Sequence, residues 1–244
     1  MPHHPHAEAQ ATPRLDLYAP IHKALRAWMF DTVMRVGRTD GLDAEGLQQT
    51  LSRVASLLAV CESHIHHEQV FLHPLLEQGR HNAAQAADQA HAGHARDIAR
   101  LRSLVSQVRE SSPAERDPML MTLYRALSVF VAENLTHMHW EETVHNETLW
   151  ACYTDAQLMQ AHDALVQSIT PQEMAETLRH MLPALAPCER LGMLSDMRAK
   201  MPPGAFEGIL ALAHEVLSVH DAAAVLQGLG LPLHLPAVRA PAHG

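Results

Sequence analysis

Long apolar runs are missing from this chain. No stretch reaches the roughly 18 uncharged apolar residues that a membrane span needs, and the best candidate, after Asp221, is interrupted by Gly228, Gly230, Pro232 and Pro236. Cysteine is scarce: Cys61, Cys152 and Cys188 are odd in number, far apart and without a CxxC spacing, which excludes a disulfide framework and a cysteine-based zinc site. Aromatic residues make up only 4% and no segment alternates apolar with polar for long, so strands are not expected. Positive charge is short as well. Eighteen Lys and Arg face 27 Asp and Glu for a net charge of −9, and no basic stripe offers a grip on a phosphate backbone, so nucleic acid is not an expected partner. The opening MPHHPHAEAQATPR lacks the apolar centre of a signal peptide, and a cytoplasmic location, with no membrane partner, is expected. What the chain has in excess is histidine. There are twenty, more than Lys and Arg together, a composition that asks first for a metal or a proton-transfer explanation.

With 47% hydrophobic residues over 244 positions a substantial core is within reach, and the period of the apolar residues is helical throughout. A first helix is expected from Pro20 to Gly37, with Ile21, Leu25, Met29, Val33 and Val36 on one face. A second runs from about Asp43 to Glu77, a third from about Asn82 to Glu110, and a fourth from about Pro118 to Trp150. Short polar links force neighbouring helices to run oppositely, so the expected fold is all-α, an up-down four-helix bundle followed by shorter helices. Past Tyr153 the signals change. Thr154 with Gln157, and Thr170 with Glu173, have the spacing of a capping box, and Pro183, Pro187, Pro202 and Pro203 punctuate further short helices. The expected organisation is a flexible tail over 1–14, the bundle over 15–153, a helical extension over 154–231 that packs on the bundle, and a second flexible tail over 232–244.

Two segments repeat one arrangement. CESHIHHEQVFLHPLL places His64 and Glu68 at i,i+4, and ENLTHMHWEETVHN does the same with His137 and Glu141. In a helix that spacing leaves about 40° between the two side chains and a rise of about 6 Å, so imidazole and carboxylate point the same way one turn apart. The helix before each pair adds a histidine: His64 follows His22 by 42 positions, and His137 follows His94 by 43. In an up-down arrangement all six fall toward one end, and each shares its stripe with apolar residues. Two carboxylates buried there, with no Lys or Arg on those stripes, are prohibitively costly to ionise without a cation. The implied cation is a metal pair. Imidazole with bridging carboxylate suits iron, manganese or zinc, and argues against magnesium or calcium. A ferritin-type site would need two Glu-x-x-His pairs, and only Glu142 with His145 has that spacing.

The set His22, His64 with Glu68, His94, and His137 with Glu141, spread over Leu15 to Trp150, resembles the hemerythrin-like (HHE cation-binding) family, and most of all the branch that includes iron-centre repair proteins. The resemblance implies two non-haem iron ions in an oxo- or hydroxo-bridged diiron centre. His22 and His64 would hold one iron, His94 and His137 the other, and Glu68 and Glu141 would bridge them. Oxygen-carrying members have two histidines four apart on the third helix, whereas His91 and His94 are three apart here; His91 is expected as a fifth imidazole ligand. Those members also carry an acidic residue five after the last histidine, where Glu142 stands, but it lies about 140° from His137 on a regular helix, so Glu141 is preferred. The small cysteine-containing domain usual in the repair branch is absent from this sequence.

The function so implied is binding of O2 or NO for sensing, scavenging or storage. The alternatives are a diiron enzyme of NO or peroxide detoxification or iron-centre repair, and a regulatory adaptor whose C-terminal helices hold a protein partner or a second copy. His66, His67, His73, His81, His139 and His145 are expected at the surface or orienting a ligand, Tyr18 packed one turn before His22, Cys61 as an apolar filler, and His162, His180, His214 and His220 at the surface.

Overall fold

A computed structural model of the chain describes residues 14–232. The expected tails, apart from Arg14 and Pro232, lie outside these residues, as do His3, His4 and His6. Among the described residues every regular element is a helix.

Helix α1 spans Ala19–Gly37. Its first amides are met from outside the helix: Asp16 Oδ1 accepts from the N–H groups of Tyr18 and Ala19 at 2.9 and 3.0 Å. Helix α2 begins at Ala44 under an Asp43 cap that accepts from the Gly46 N–H. It runs through Ala44–His67, then a π turn over Glu68–Leu72, then His73–Gly79. Helix α3 is Gln85–Glu110. Helix α4 repeats the construction of α2, with Arg116–Trp140, a π turn over Glu141–His145, and Asn146–Cys152. The long helices therefore follow the hydrophobic period to within a few residues, but the π turns are not legible in it.

These four pack as a closed ring, α1 against α2 and α4, and α3 against the same two. The interior is one apolar cluster that includes Leu25, Met29, Leu57, Leu101, Leu127 and Phe130. Cys61 belongs to it, and burial pushes its thiol up to about 12. At the end that carries the π turns the chain is drawn tight. A Cβ on Gly79 would lie 2.9 Å from Cys152 Sγ, so only glycine lets the ends of α2 and α4 approach so closely. Arg14, expected in a tail, is fixed at this same end: it pairs with Asp155 at 2.6 Å and donates to the Trp150 and Tyr153 carbonyls.

Five shorter helices come next: α5 Asp155–Ser168, α6 Pro171–Ala184, α7 Pro187–Lys200, α8 Pro203–Val216 and α9 Val219–Gly228. They build an apolar core of their own around Leu178, Leu182, Leu194, Phe206 and Leu226, and they also pack on the ring. Helix α6 lies along α1, and α5 touches the π turn of α2. His180 stacks on Trp28 with ring centroids 3.5 Å apart, and Lys23 pairs with Glu189 at 2.5 Å. The Thr154 capping box forms as expected. At Thr170 only half of it does, because the Glu173 side chain accepts instead from the Ser63 hydroxyl on α2.

A chain ended after Tyr153 is expected to unfold at a lower temperature and yet keep its metal donors, all of which precede it. Uncovering the indole of Trp28 alone costs about 2 kcal/mol by area. A thermal melt alongside metal analysis checks this, and a truncated chain as stable as the full one contradicts it.

Candidate metal centre

The two π turns start on the two carboxylates. In each, the residue five after the glutamate bonds its N–H back to the glutamate's own carbonyl: His73 to Glu68, and Asn146 to Glu141. A turn widened by one residue brings that fifth side chain round toward the face of the first, and such turns gather at functional sites. His73 and Asn146 are accordingly buried, as are Glu68 and Glu141.

Four helices converge on the two carboxylates, and the oxygens divide between two sets. On one side, Glu68 Oε1 lies 3.3 Å from His64 Nε2 and 3.7 Å from His22 Nε2, and Glu141 Oε2 lies 3.6 Å from His22 Nε2. On the other, Glu68 Oε2 lies 3.3 Å from His91 Nε2, and Glu141 Oε1 lies 3.1 Å from His137 Nε2 and 3.6 Å from His91 Nε2. His22, His64, Glu68 and Glu141 thus offer one group of donor atoms within 4.8 Å of one another, and His91, His137, Glu68 and Glu141 offer a second. Each group has two imidazole nitrogens and two carboxylate oxygens, and each carboxylate gives one oxygen to each group.

None of these approaches is a well-formed hydrogen bond. Both oxygens of Glu68 and of Glu141, and the Nε2 atoms of His22, His91 and His137, are buried without a partner. Orphaned atoms in such number are rare in a native interior. They gather in two groups whose donor atoms lie within 4.8 Å of one another, an arrangement that could hold metal ions.

Within the cluster the carboxylates and imidazoles shift one another. Burial pushes the imidazoles down, and His64 falls to about 4. At His22 and His91 the carboxylates outweigh burial, and both rise to about 9. Glu141, despite burial and the neighbouring Glu68, is held at about 2 by His137 and His91, and Glu68 is likewise held well below its usual range, by His64, His22 and His91. His22 and His91 are thereby favoured in the protonated form at neutral pH.

Of the seven residues singled out in the sequence, six meet in the two groups. His94 does not. It is buried beside the His137 ring at 5.0 Å and against Phe130 at 6.1 Å, and its Nδ1 has no partner, but the residue of α3 that faces both carboxylates, as His22 does from α1, is His91. His91 precedes His137 by 46 positions, so the near-equality of the 42- and 43-residue spacings is a coincidence of helix and connection lengths; both π turns lie beyond these intervals.

Glu142 is the residue that helical phase set aside. It is not among the converging donors, yet its Oε1 lies 3.0 Å from His22 Nδ1, and Arg26 holds it with two bonds of 2.5 and 3.0 Å. Between them His22 and Arg26 keep its carboxyl at about 2 in spite of partial burial. A carboxylate behind a ligand imidazole fixes the ring's tautomer and orientation. Glu142→Gln is expected to weaken metal binding about 10- to 100-fold while leaving the fold intact; equilibrium dialysis checks this, and unchanged affinity would remove Glu142 from the centre.

Two more histidines, expected at the surface or orienting a ligand, are inside. His145 Nδ1 is 3.2 Å from the Tyr18 hydroxyl, and burial, with His73 nearby, brings His145 down to about 4. Tyr18 is fully buried, and burial together with Glu68 and Glu141 holds its phenol well above the usual value. His73 is the other, with Nδ1 2.7 Å from Asp88 Oδ1. The remaining expectations hold for His66, His81, His139, His214 and His220, which are exposed, while His67, His162 and His180 are half-buried. Comparison of the chain with models of known families, with curated proteins and with solved structures found no match.

Proposed function

We propose that the protein is a non-haem diiron protein of the hemerythrin-like kind that binds O2 or NO, its four long helices forming an up-down bundle around the metal pair. The observation that carries this reading is the division of Glu68 and Glu141 between two matched donor groups, His22 with His64 and His91 with His137. The donor set, nitrogen-rich and without thiolate, suits iron. Two irons held by these residues would supply the positive charge and the electrons that a diatomic ligand needs.

The chain's own residues do the rest. Burial of both carboxylates and of His22 and His91 keeps bulk water away from the pair, which strengthens every charge interaction inside. The rim is formed by His64 and His137, whose side chains keep 13% and 9% exposure against 3% or less for the other four donors. A ligand of two atoms reaches the pair past that rim more easily than a larger one. Glu142 and Arg26 hold the His22 ring, and Tyr18, 5.5 Å from that ring, has its hydroxyl bonded to His145.

Protein purified without chelator is expected to contain two irons per chain. After anaerobic reduction it should take up O2 or NO in fixed ratio to the iron pair and give it up again when the ligand is withdrawn. Consumption that continues beyond that ratio identifies an enzyme. One zinc per chain, and no iron after reconstitution, overturns the reading.

A further inference from the structure

A third group of donors lies beside the pair. His73, Asp88 and His91 each offer one atom within 4.8 Å of the others. The Nδ1 of His73 is 2.7 Å from Asp88 Oδ1, and the rings of His73 and His91 stand 5.1 Å apart and nearly parallel. His91 uses Nε2 toward Glu68 and Glu141, which leaves Nδ1 for this side, and that atom is buried without a partner. The His73 Nε2 is buried and unpartnered too. The group thus has two imidazoles more than nine-tenths buried and one carboxylate that faces water, the Asp88 side chain being 56% exposed.

We infer that His73, Asp88 and His91 form a weaker third site for a divalent cation, through which ions load into the buried pair. Two imidazoles and one carboxylate with an open position toward solvent are a donor set that zinc, iron(II) and cobalt(II) accept, with water completing the shell. Binding displaces the hydrogen between His73 Nδ1 and Asp88 and also the Nδ1 proton of His91, both passing to water at Asp88, so that with the pair filled His91 bridges as an imidazolate; the His73 and Asp88 donor atoms separate to about 3.3 Å around a tetrahedral ion with bonds of ~2.0–2.1 Å. The placement explains why one residue serves two groups. A hydrated ion cannot enter directly among donors that are almost wholly buried, whereas Asp88 can take it from water, exchange its waters for imidazole one at a time, and pass it across the His91 ring. The loading role rests on the metal pair proposed above; the site itself does not.

Cobalt(II) titration followed by visible absorption tests both. The wild type is expected to bind two ions tightly and a third more weakly. Asp88→Asn, at an exposed position, should keep the tight two, lose the third, and take up the first two at least tenfold more slowly in stopped flow. A wild type that saturates at two ions, or an Asp88→Asn variant that binds the third as well as wild type, overturns the site. Equal uptake rates overturn the loading role. The isosteric Glu68→Gln/Glu141→Gln variant removes the pair and should retain one cobalt that Asp88→Asn or His73→Ala abolishes. If the wild type itself binds only one, Asp88-dependent ion, the diiron reading fails while this site stands.

Discussion

Glu141→Ala is expected to strip both metal ions from the protein, whereas His64→Ala should weaken one. The difference lies in which atoms each residue supplies. His64 Nε2 belongs to a single donor group, but Glu141 gives Oε2 to the His22 side and Oε1 to the His91 side. Removing it takes one donor from each group and one of the two negative charges that offset the cations. The protein cannot supply another carboxylate there, since Glu142 is committed to His22 and Arg26. The loss should therefore exceed the roughly 100-fold change typical when only the partner of a ligand is removed. Glu68→Ala should behave alike, because its oxygens are divided in the same way. Metal content after gel filtration and the charge-transfer absorption of a bridged pair are the measurements. One tightly held ion in either variant would falsify the sharing of that carboxylate.

Much of this centre is legible in the sequence, for one reason. Regular helix maps sequence spacing onto direction, so the two HxxxE pairs and His22 can be set on inward faces and at one end of the ring by arithmetic alone. Where the helix is not regular, the arithmetic fails. The π turns at Glu68–Leu72 and Glu141–His145 rotate the residues at and beyond their ends, and His73 and His145, expected at the surface or in a supporting role, are interior. The same regular phase sets Glu142 aside as a ligand and gives no hint of its partnership with His22, which depends on the approach of α1 to α4 and on Arg26, a residue with no pattern of its own. On α3 either His91 or His94 satisfies the stripe, and only the packing of α3 between α2 and α4 brings His91 to both carboxylates. The C-terminal helices were expected to lean on the ring for want of a core, yet Leu178, Leu182, Leu194 and Phe206 meet across helices in a way that no local period encodes.

The protonation of His22 and His91 in the metal-free centre makes metal affinity steeply dependent on pH. His22 and His91, raised to about 9 by the carboxylates against the pull of burial, both carry protons at neutral pH, and His64, at about 4, does not. A metal ion needs the free lone pair of each imidazole, so loading both positions must expel the protons of His22 and His91. Between roughly pH 6 and 9 the overall constant for two ions should then rise about 100-fold per pH unit, tenfold for each proton released, and level off above 9. The sign for stability is opposite. A histidine raised from 6.5 to about 9 stabilises the metal-free fold fully below 6.5 and loses that contribution as pH rises through 9. The metal-free protein should weaken over that range while the metal-bound protein does not, so the melting temperature gained on loading should grow with pH. Proton release into weakly buffered solution measures the coupling directly: about two protons per metal pair at pH 7.5, falling toward none near pH 10. His22→Gln should reduce the release to about one. Loading without proton release at pH 7.5 would mean that His22 and His91 are not protonated in the metal-free centre.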